Sequence, residues 1–196
     1  METGSMGVII CEDTRQQEHD GDKHATKHEW WAGHGISVVR MKLDFGDYMR
    51  GFDDGTLDPT SNVSVDTKQH LGEVSMNLGR GHERFKREIR RSNDAGYLLV
   101  VLVETDEARC IEDVRKWVNT HCMRCNVMRR RECDPTDSSG LCLKHGTKKP
   151  LQGETMARQM KTMQANRSVR FEFCKPDESA QIICELLGVS YDNQGD

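Results

Sequence analysis

Residues 98–103 read Leu-Leu-Val-Val-Leu-Val, a run without a single polar side chain. It is far too short to span a bilayer. A strand built from it turns an apolar side chain to both faces of its sheet, so both faces need a cover. That is the signature of a central strand, usually with parallel neighbours and with helices packed above and below. The rest of the chain supplies both. Gly7–Cys11, Ile36–Leu43, a segment opening at Gly46, Val63–Lys68 and Val169–Cys174 read as further strands. Lys23–Gly33, His82–Ala95, Ile111–Val118, Gly153–Ala165 and Pro176–Leu187 read as helices, the last closed by Gly188. The alternation predicts an α/β protein with one mixed central sheet flanked by helices.

A chain of 196 residues favours one domain with room for a small inserted module. Residues 7–119 and 150–190 carry the periodic segments and form the expected domain. Between them, residues 120–149 lose all hydrophobic periodicity and turn rich in Cys, Arg, Asp, Ser and Lys. No apolar run is long enough for a membrane helix and no export signal is read, so the expectation is a cytoplasmic protein without a membrane partner. The eight cysteines then read as thiols or metal ligands rather than as disulfides.

The net charge of −4 hides a strong asymmetry. Residues 1–60 hold six Lys/Arg against twelve Asp/Glu, whereas residues 80–91 hold six against two and residues 115–149 nine against three. An acidic region suited to cations and basic regions suited to phosphates are thus laid out along one chain. Solvated helix faces would give the same counts, so charge alone does not decide.

The acidic side is more specific. Asp13 follows the first strand, Asp47 follows Gly46, and Asp66 lies two residues before Lys68 on a strand. Residues i and i+2 share a strand face, so Asp66 and Lys68 point the same way, and a hairpin through residues 51–62 can fold Asp47 beside them. Two aspartates and a lysine are what phosphodiester hydrolysis requires. The carboxylates hold a hard cation such as Mg2+ or Mn2+, which acidifies a water and clamps the phosphate. The ammonium orients the water or offsets developing charge.

Cys11-Glu-Asp-Thr-Arg15, Leu43-Asp-Phe-Gly-Asp-Tyr48, Val65-Asp-Thr-Lys68, His82-Glu-Arg-Phe-Lys-Arg-Glu88 and Leu98-Leu-Val-Val-Leu-Val-Glu104 follow one another in an order that resembles the nuclease domain of the XPF-type structure-specific endonucleases. The likeness is greatest to small stand-alone versions in phages and bacteria, which implies a bacterial or phage-infected host cytoplasm. The resemblance implies the restriction-endonuclease-like fold, Mg2+ or Mn2+ dependence, cleavage of branched or flap DNA and pairing into a homodimer. It places Asp13 on the family's first-strand aspartate, Asp47 on the aspartate of its Gly-Asp pair, and Asp66 and Lys68 on the outer members of its Glu-Arg-Lys signature. Thr67 stands where the family has arginine. The acidic residue expected four after the lysine is Gly72, and Glu73 takes that role only after a one-residue slip. The family's tandem helix-hairpin-helix domain has no room in this sequence.

Arg84 and Arg87, on the basic helix after the site strands, are candidate phosphate contacts. Glu104 ends the buried strand and reads as a supporting residue of the site or, more commonly, as an ordinary strand-end charge. The apolar final helix, with Ile182, Ile183, Leu186 and Leu187, serves the core or a dimer, the core being the default.

Within the inserted segment, Cys122-x-x-Cys125, Cys133 and Cys142-x-x-His145 have the spacing of a structural zinc site. Cys122, Cys125, Cys133 and Cys142 are the expected Zn2+ ligands, with His145 the substitute for one of them. The segment has few apolar residues to fold it, and zinc would supply that energy. Arg129, Arg130 and Lys148 beside it make the module a candidate grip on the DNA backbone. The competing reading is a non-catalytic, zinc-stabilised DNA-binding protein in which a nuclease fold has decayed.

Overall fold

The computed structural model describes residues 7–15, 25–123, 125, 142, 149–166 and 169–191. Six strands form one sheet: β1 (Val8–Asp13), β2 (Val38–Met41), β3 (Tyr48–Phe52), β4 (Val63–Lys68), β5 (Leu98–Glu104) and β6 (Val169–Cys174). Their order across the sheet is β2-β1-β3-β4-β5-β6. β3 runs antiparallel to both β1 and β4, while the β1–β2, β4–β5 and β5–β6 pairs are parallel, so the sheet is mixed. β5 is the buried parallel strand that its composition requires, with Val101 in register with Asp66 on one side and Phe171 on the other. No helix among the described residues is long and apolar enough to cross a membrane.

The helices divide between the two faces. Val101 and Val103 of β5 point into a core shared with α2 (Leu71–Leu78), α3 (His82–Asp94), α4 (Ile111–Val114) and α6 (Gly153–Ala165). Leu102 points to the opposite face, against α1 (Ala25–Gly33) and α7 (Ser179–Leu187). Ile183 and Leu187 are buried there, and Ile182 and Leu186, partly buried, pack against the same core. Gly188 ends α7 with φ of 66°, a left-handed cap that glycine adopts without strain.

Several boundaries differ from the sequence expectation. β1 runs two residues past Cys11, so Asp13 is the last residue of the strand rather than its follower. β2 is shorter than Ile36–Leu43. The segment after Ile111 is a single helical turn continued by i to i−3 hydrogen bonds as far as Trp117. Its carbonyls stop it there, because Gly153 packs against them, and a Cβ at Gly153 would lie 2.1 Å from the Val114 oxygen. Helix α2 has no counterpart in the sequence reading. Its N-cap is His70, whose Nδ1 accepts the Glu73 amide at 3.1 Å, and histidine is not among the usual capping residues.

The two ends of the segment read as an insertion are joined by hydrogen bonds into a closed neck. The Asn119 amide donates to Gln152 Oε1 at 3.0 Å, and the Asn119 side-chain amide donates to Ser75 Oγ at 3.1 Å and the Leu151 carbonyl at 3.3 Å. The Gly153 amide donates to the Trp117 carbonyl at 3.0 Å. A short helix α5 (Thr120–Met123) follows on the outgoing side.

Candidate active site

The site starts from Gly46. Its φ is 66°, and a Cβ there would lie 2.1 Å from Ser64 Oγ, so only glycine lets the chain cross this close to β4. The next residue bridges three strands through its backbone. The Asp47 amide donates to the Val65 carbonyl at 2.7 Å, and the Asp47 carbonyl accepts the Asp13 amide at 2.9 Å. Asp47 Oδ2 then accepts both the amide and the hydroxyl of Thr67, each at 2.8 Å. Thr67 therefore orients this carboxylate from the position where the XPF-type pattern has arginine.

Asp66 and Lys68 lie side by side on the face of β4 that turns toward α3, as the i, i+2 spacing requires. Lys68 Nζ donates to Asp66 Oδ1 at 2.5 Å and to the Thr67 carbonyl at 3.1 Å. Asp66 is only 4% exposed, and its Oδ2 is buried with no hydrogen-bond partner among the described residues. Burial pushes the Asp66 carboxyl up to about 7, and the charges of Asp47 and Glu88 add to the rise while Lys68 opposes it. Burial works against the Lys68 ammonium, yet Asp66, Asp47 and Glu88 outweigh it and hold the group well above the usual lysine range. Lys68 thus keeps its proton throughout the physiological range and can only donate.

Glu88 is the member that the sequence reading quoted but gave no role. It reaches the site from α3, where its Oε1 accepts the Gly46 amide at 3.3 Å. Its signal was helical phase: Phe85, Ile89 and Ser92 are buried, and Glu88 borders that stripe.

The remaining expected residues fall differently. Asp13 lies on the same side of the sheet, but its carboxylate accepts from Arg15 Nε at 2.6 Å, the Arg15 amide at 3.2 Å and the Leu43 amide at 3.4 Å. It fixes the loop leading to Gly46. Glu73 Oε2 accepts the Gln69 amide at 3.0 Å, which ties it to the start of α2. Arg84 and Arg87 are exposed on α3, and Arg84 reaches Asn77 Oδ1 at 3.5 Å. Cys122, Cys125 and Cys142 are half-buried, and Cys122 Sγ accepts a hydrogen bond from Gln152 Nε2 at 3.1 Å. Cys133, His145, Arg129, Arg130 and Lys148 lie outside the described residues. Among the described residues, no three His, Cys, Asp or Glu side chains stand close enough together to hold a metal ion directly.

A second charged cluster occupies the opposite face of the sheet. Lys27 of α1 pairs with Glu104 Oε1 at 2.6 Å, with side chains only 5% and 7% exposed. The same oxygen accepts the Ser179 hydroxyl at 2.6 Å, and Lys27 Nζ lies 5.7 Å from the centre of the Tyr48 ring. His28 Nε2 lies 3.1 Å from Glu12 Oε1 beside it. Glu104 is therefore neither an exposed strand end nor part of the Asp66 site. It anchors α1 and α7 to the sheet.

No family model matches the chain, and none of the curated proteins matches it in sequence. Solved structures do. XPF from Aeropyrum pernix superposes with a TM-score of 0.49 at 12% identity over 91% of this chain and 63% of that one. XPF from Aeropyrum pernix in complex with DNA superposes with a TM-score of 0.52 at 14% identity over 92% of this chain and 63% of that one. The chain spans less than two thirds of the length of those neighbours. It has the XPF-like nuclease fold, with its mixed six-stranded sheet and flanking helices, as the sequence resemblance implied.

Proposed function

We propose that this chain is a divalent-metal-dependent DNA endonuclease acting on branched or flap DNA. One observation carries the reading: on a nuclease-type sheet, Asp66 and Lys68 share a face of β4 while the neighbouring strand presents Asp47 beside them. The residues fit a hard divalent cation. Among the described residues, Asp66 Oδ2 is buried without a hydrogen-bond partner, and Asp47, Asp66 and Glu88 gather around the Lys68 ammonium. Asp47 and Asp66 would hold Mg2+ or Mn2+, which when bound supplies charge stabilisation at the phosphate and an acidified water.

The chain's own groups account for the rest. Thr67 fixes the orientation of Asp47 by two hydrogen bonds. Lys68, held protonated, donates toward negative charge that develops on the phosphate oxygens or keeps the attacking water in place. Asp66 holds Lys68 in position through the 2.5 Å contact. Arg84 and Arg87 lie exposed on the helix beside the site and are proposed to contact DNA phosphates.

The proposed fragment of substrate recognition outside the sheet is the inserted segment. Cys122, Cys125, Cys133 and Cys142, or His145 in place of one, would hold Zn2+, and Arg129, Arg130 and Lys148 would grip the DNA backbone. The hydrogen bond from Gln152 to Cys122 suits a thiolate acceptor. Purified protein is expected to carry one zinc per chain, and Cys122→Ser to lose it; a zinc-free, fully folded wild type overturns the module. Pairing of two copies, as in XPF-type proteins, would not use Ile183 and Leu187 of α7, which the core buries.

The decisive measurement is cleavage of flap, fork and four-way-junction DNA beside plain duplex, with Mg2+ and with Mn2+. Cutting of the branched substrates by wild type is expected, at a rate well above that on duplex. Binding without cutting under either metal would overturn the enzyme reading.

A further inference from the structure

Glu88 sits on a border. Along α3 its neighbours one turn away are Phe85 and Ser92, both buried, and Arg84 and Arg91, both exposed. It is half-buried and makes no ion pair among the described residues, although arginines lie at i−4 and i+3. Its one hydrogen bond, from the Gly46 amide, is 3.3 Å long, beyond the usual range for such a contact. A glutamine would serve that bond equally well. The charge repels that of Asp66 and attracts the Lys68 ammonium, which Asp66 and Asp47 already share. Three carboxylates around one ammonium leave an excess of negative charge, and a bound cation would balance it.

A second observation points to the same ligand: Asp66 Oδ2 is buried and has no hydrogen-bond partner among the described residues. Among the described residues, no three carboxylates stand close enough to bind an ion directly. Mg2+ and Mn2+ do not need them to, since Mg2+ keeps several waters and takes only one or two carboxylates in direct contact. We propose that Glu88 is the third carboxylate of the cation site, acting from α3 through the waters of the bound ion. Asp47 and Asp66 provide direct contact, and Glu88 accepts hydrogen bonds from the ion's water shell and adds the charge that attracts it. This rests on the cation reading above and deepens it.

The test is Mn2+ binding by calorimetry and by electron paramagnetic resonance of the free ion, on the full chain without DNA. Wild type, Glu88→Gln, Glu88→Ala and Glu83→Gln are compared, the last as an exposed acid on the same helix. Second-sphere partners typically contribute 10- to 100-fold to metal affinity. Glu88→Gln is therefore expected to weaken Mn2+ binding by at least about tenfold, with metal-free thermal stability equal to or above wild type. Glu83→Gln is expected to bind as wild type does. If Glu88→Gln binds Mn2+ as tightly as wild type and only Glu88→Ala is affected, Glu88 is a loop clamp and the proposal fails. If wild type binds no Mn2+, the cation reading falls and this one with it. If Mn2+ binding weakens as stated but no DNA is ever cut, the enzyme reading falls and the role of Glu88 stands.

Discussion

Asp66→Asn is expected to abolish metal-dependent cleavage and at the same time to raise the melting temperature of the metal-free protein at pH 8. The first effect follows from removing a charge that would contact the cation and hold Lys68, a loss of roughly a thousandfold or more in rate. The second follows from the sign of the shift. An aspartate ordinarily titrates near 3.8, and burial pushes this one up to about 7 in the folded protein. Below pH 4 it carries its proton whether the chain is folded or not, so it contributes no difference. Between pH 4 and 7 the unfolded chain releases the proton and the folded protein resists. The fold loses stability as pH rises through that window and recovers none above it. Asparagine removes the liability. Because it also removes the partner of Lys68, the net gain is on the order of 1–2 kcal/mol, or roughly 2–8 °C for a chain of this size.

Melting curves of both proteins from pH 4 to 8 would check this. The gap between them is expected to open with rising pH, then to narrow on adding Mg2+, since a cation that binds only the folded wild type stabilises it by mass action. A pH-independent gap, or a less stable asparagine variant at pH 8, would show that Asp66 is held charged without penalty.

On the opposite face the sign reverses. Lys27→Ala is expected to lower stability by about 3–5 kcal/mol, the usual cost of leaving one member of a buried ion pair alone. That corresponds to a fall of roughly 6–20 °C. Glu104 would be left with the Ser179 hydroxyl as its remaining partner in the ion pair's place. The double variant Lys27→Met with Glu104→Leu is expected to recover most of the loss, because a well-packed apolar pair often equals a buried ionic one. A single Lys27→Met variant that melts within a degree or two of wild type would refute the anchoring role. Cleavage by the double variant should stay near wild type, since this cluster lies across the sheet from Asp66.

These two clusters show what sequence can and cannot disclose. Leu98–Val103 announced a two-sided strand, because six apolar residues in a row permit little else in a chain without membrane spans. Asp66 and Lys68 were placed together by the period of a strand alone. Their partner Glu88 was not, since it comes from a helix twenty residues on, and only the packing of Phe85 and Ile89 decides which way it turns. Helix α2 carried a readable period in Leu71, Val74 and Leu78, but its brevity, its glycines and its histidine cap masked it. Lys27 and Glu104 were illegible for a different reason. Each alone reads as a surface charge, and only tertiary structure makes them a pair, with α1 and β5 brought together across 77 positions of chain.

The neck at Asn119 and Gln152 has an evolutionary consequence. Its hydrogen bonds join the two points where the chain departs from and returns to the sheet-and-helix body, and none of them draws on residues 124–148. The two ends of the connection are thus held side by side by residues of that body itself. On the proposed reading, a lineage could alter DNA recognition by rewriting the connection between Asn119 and Gln152 while this neck keeps its ends in place.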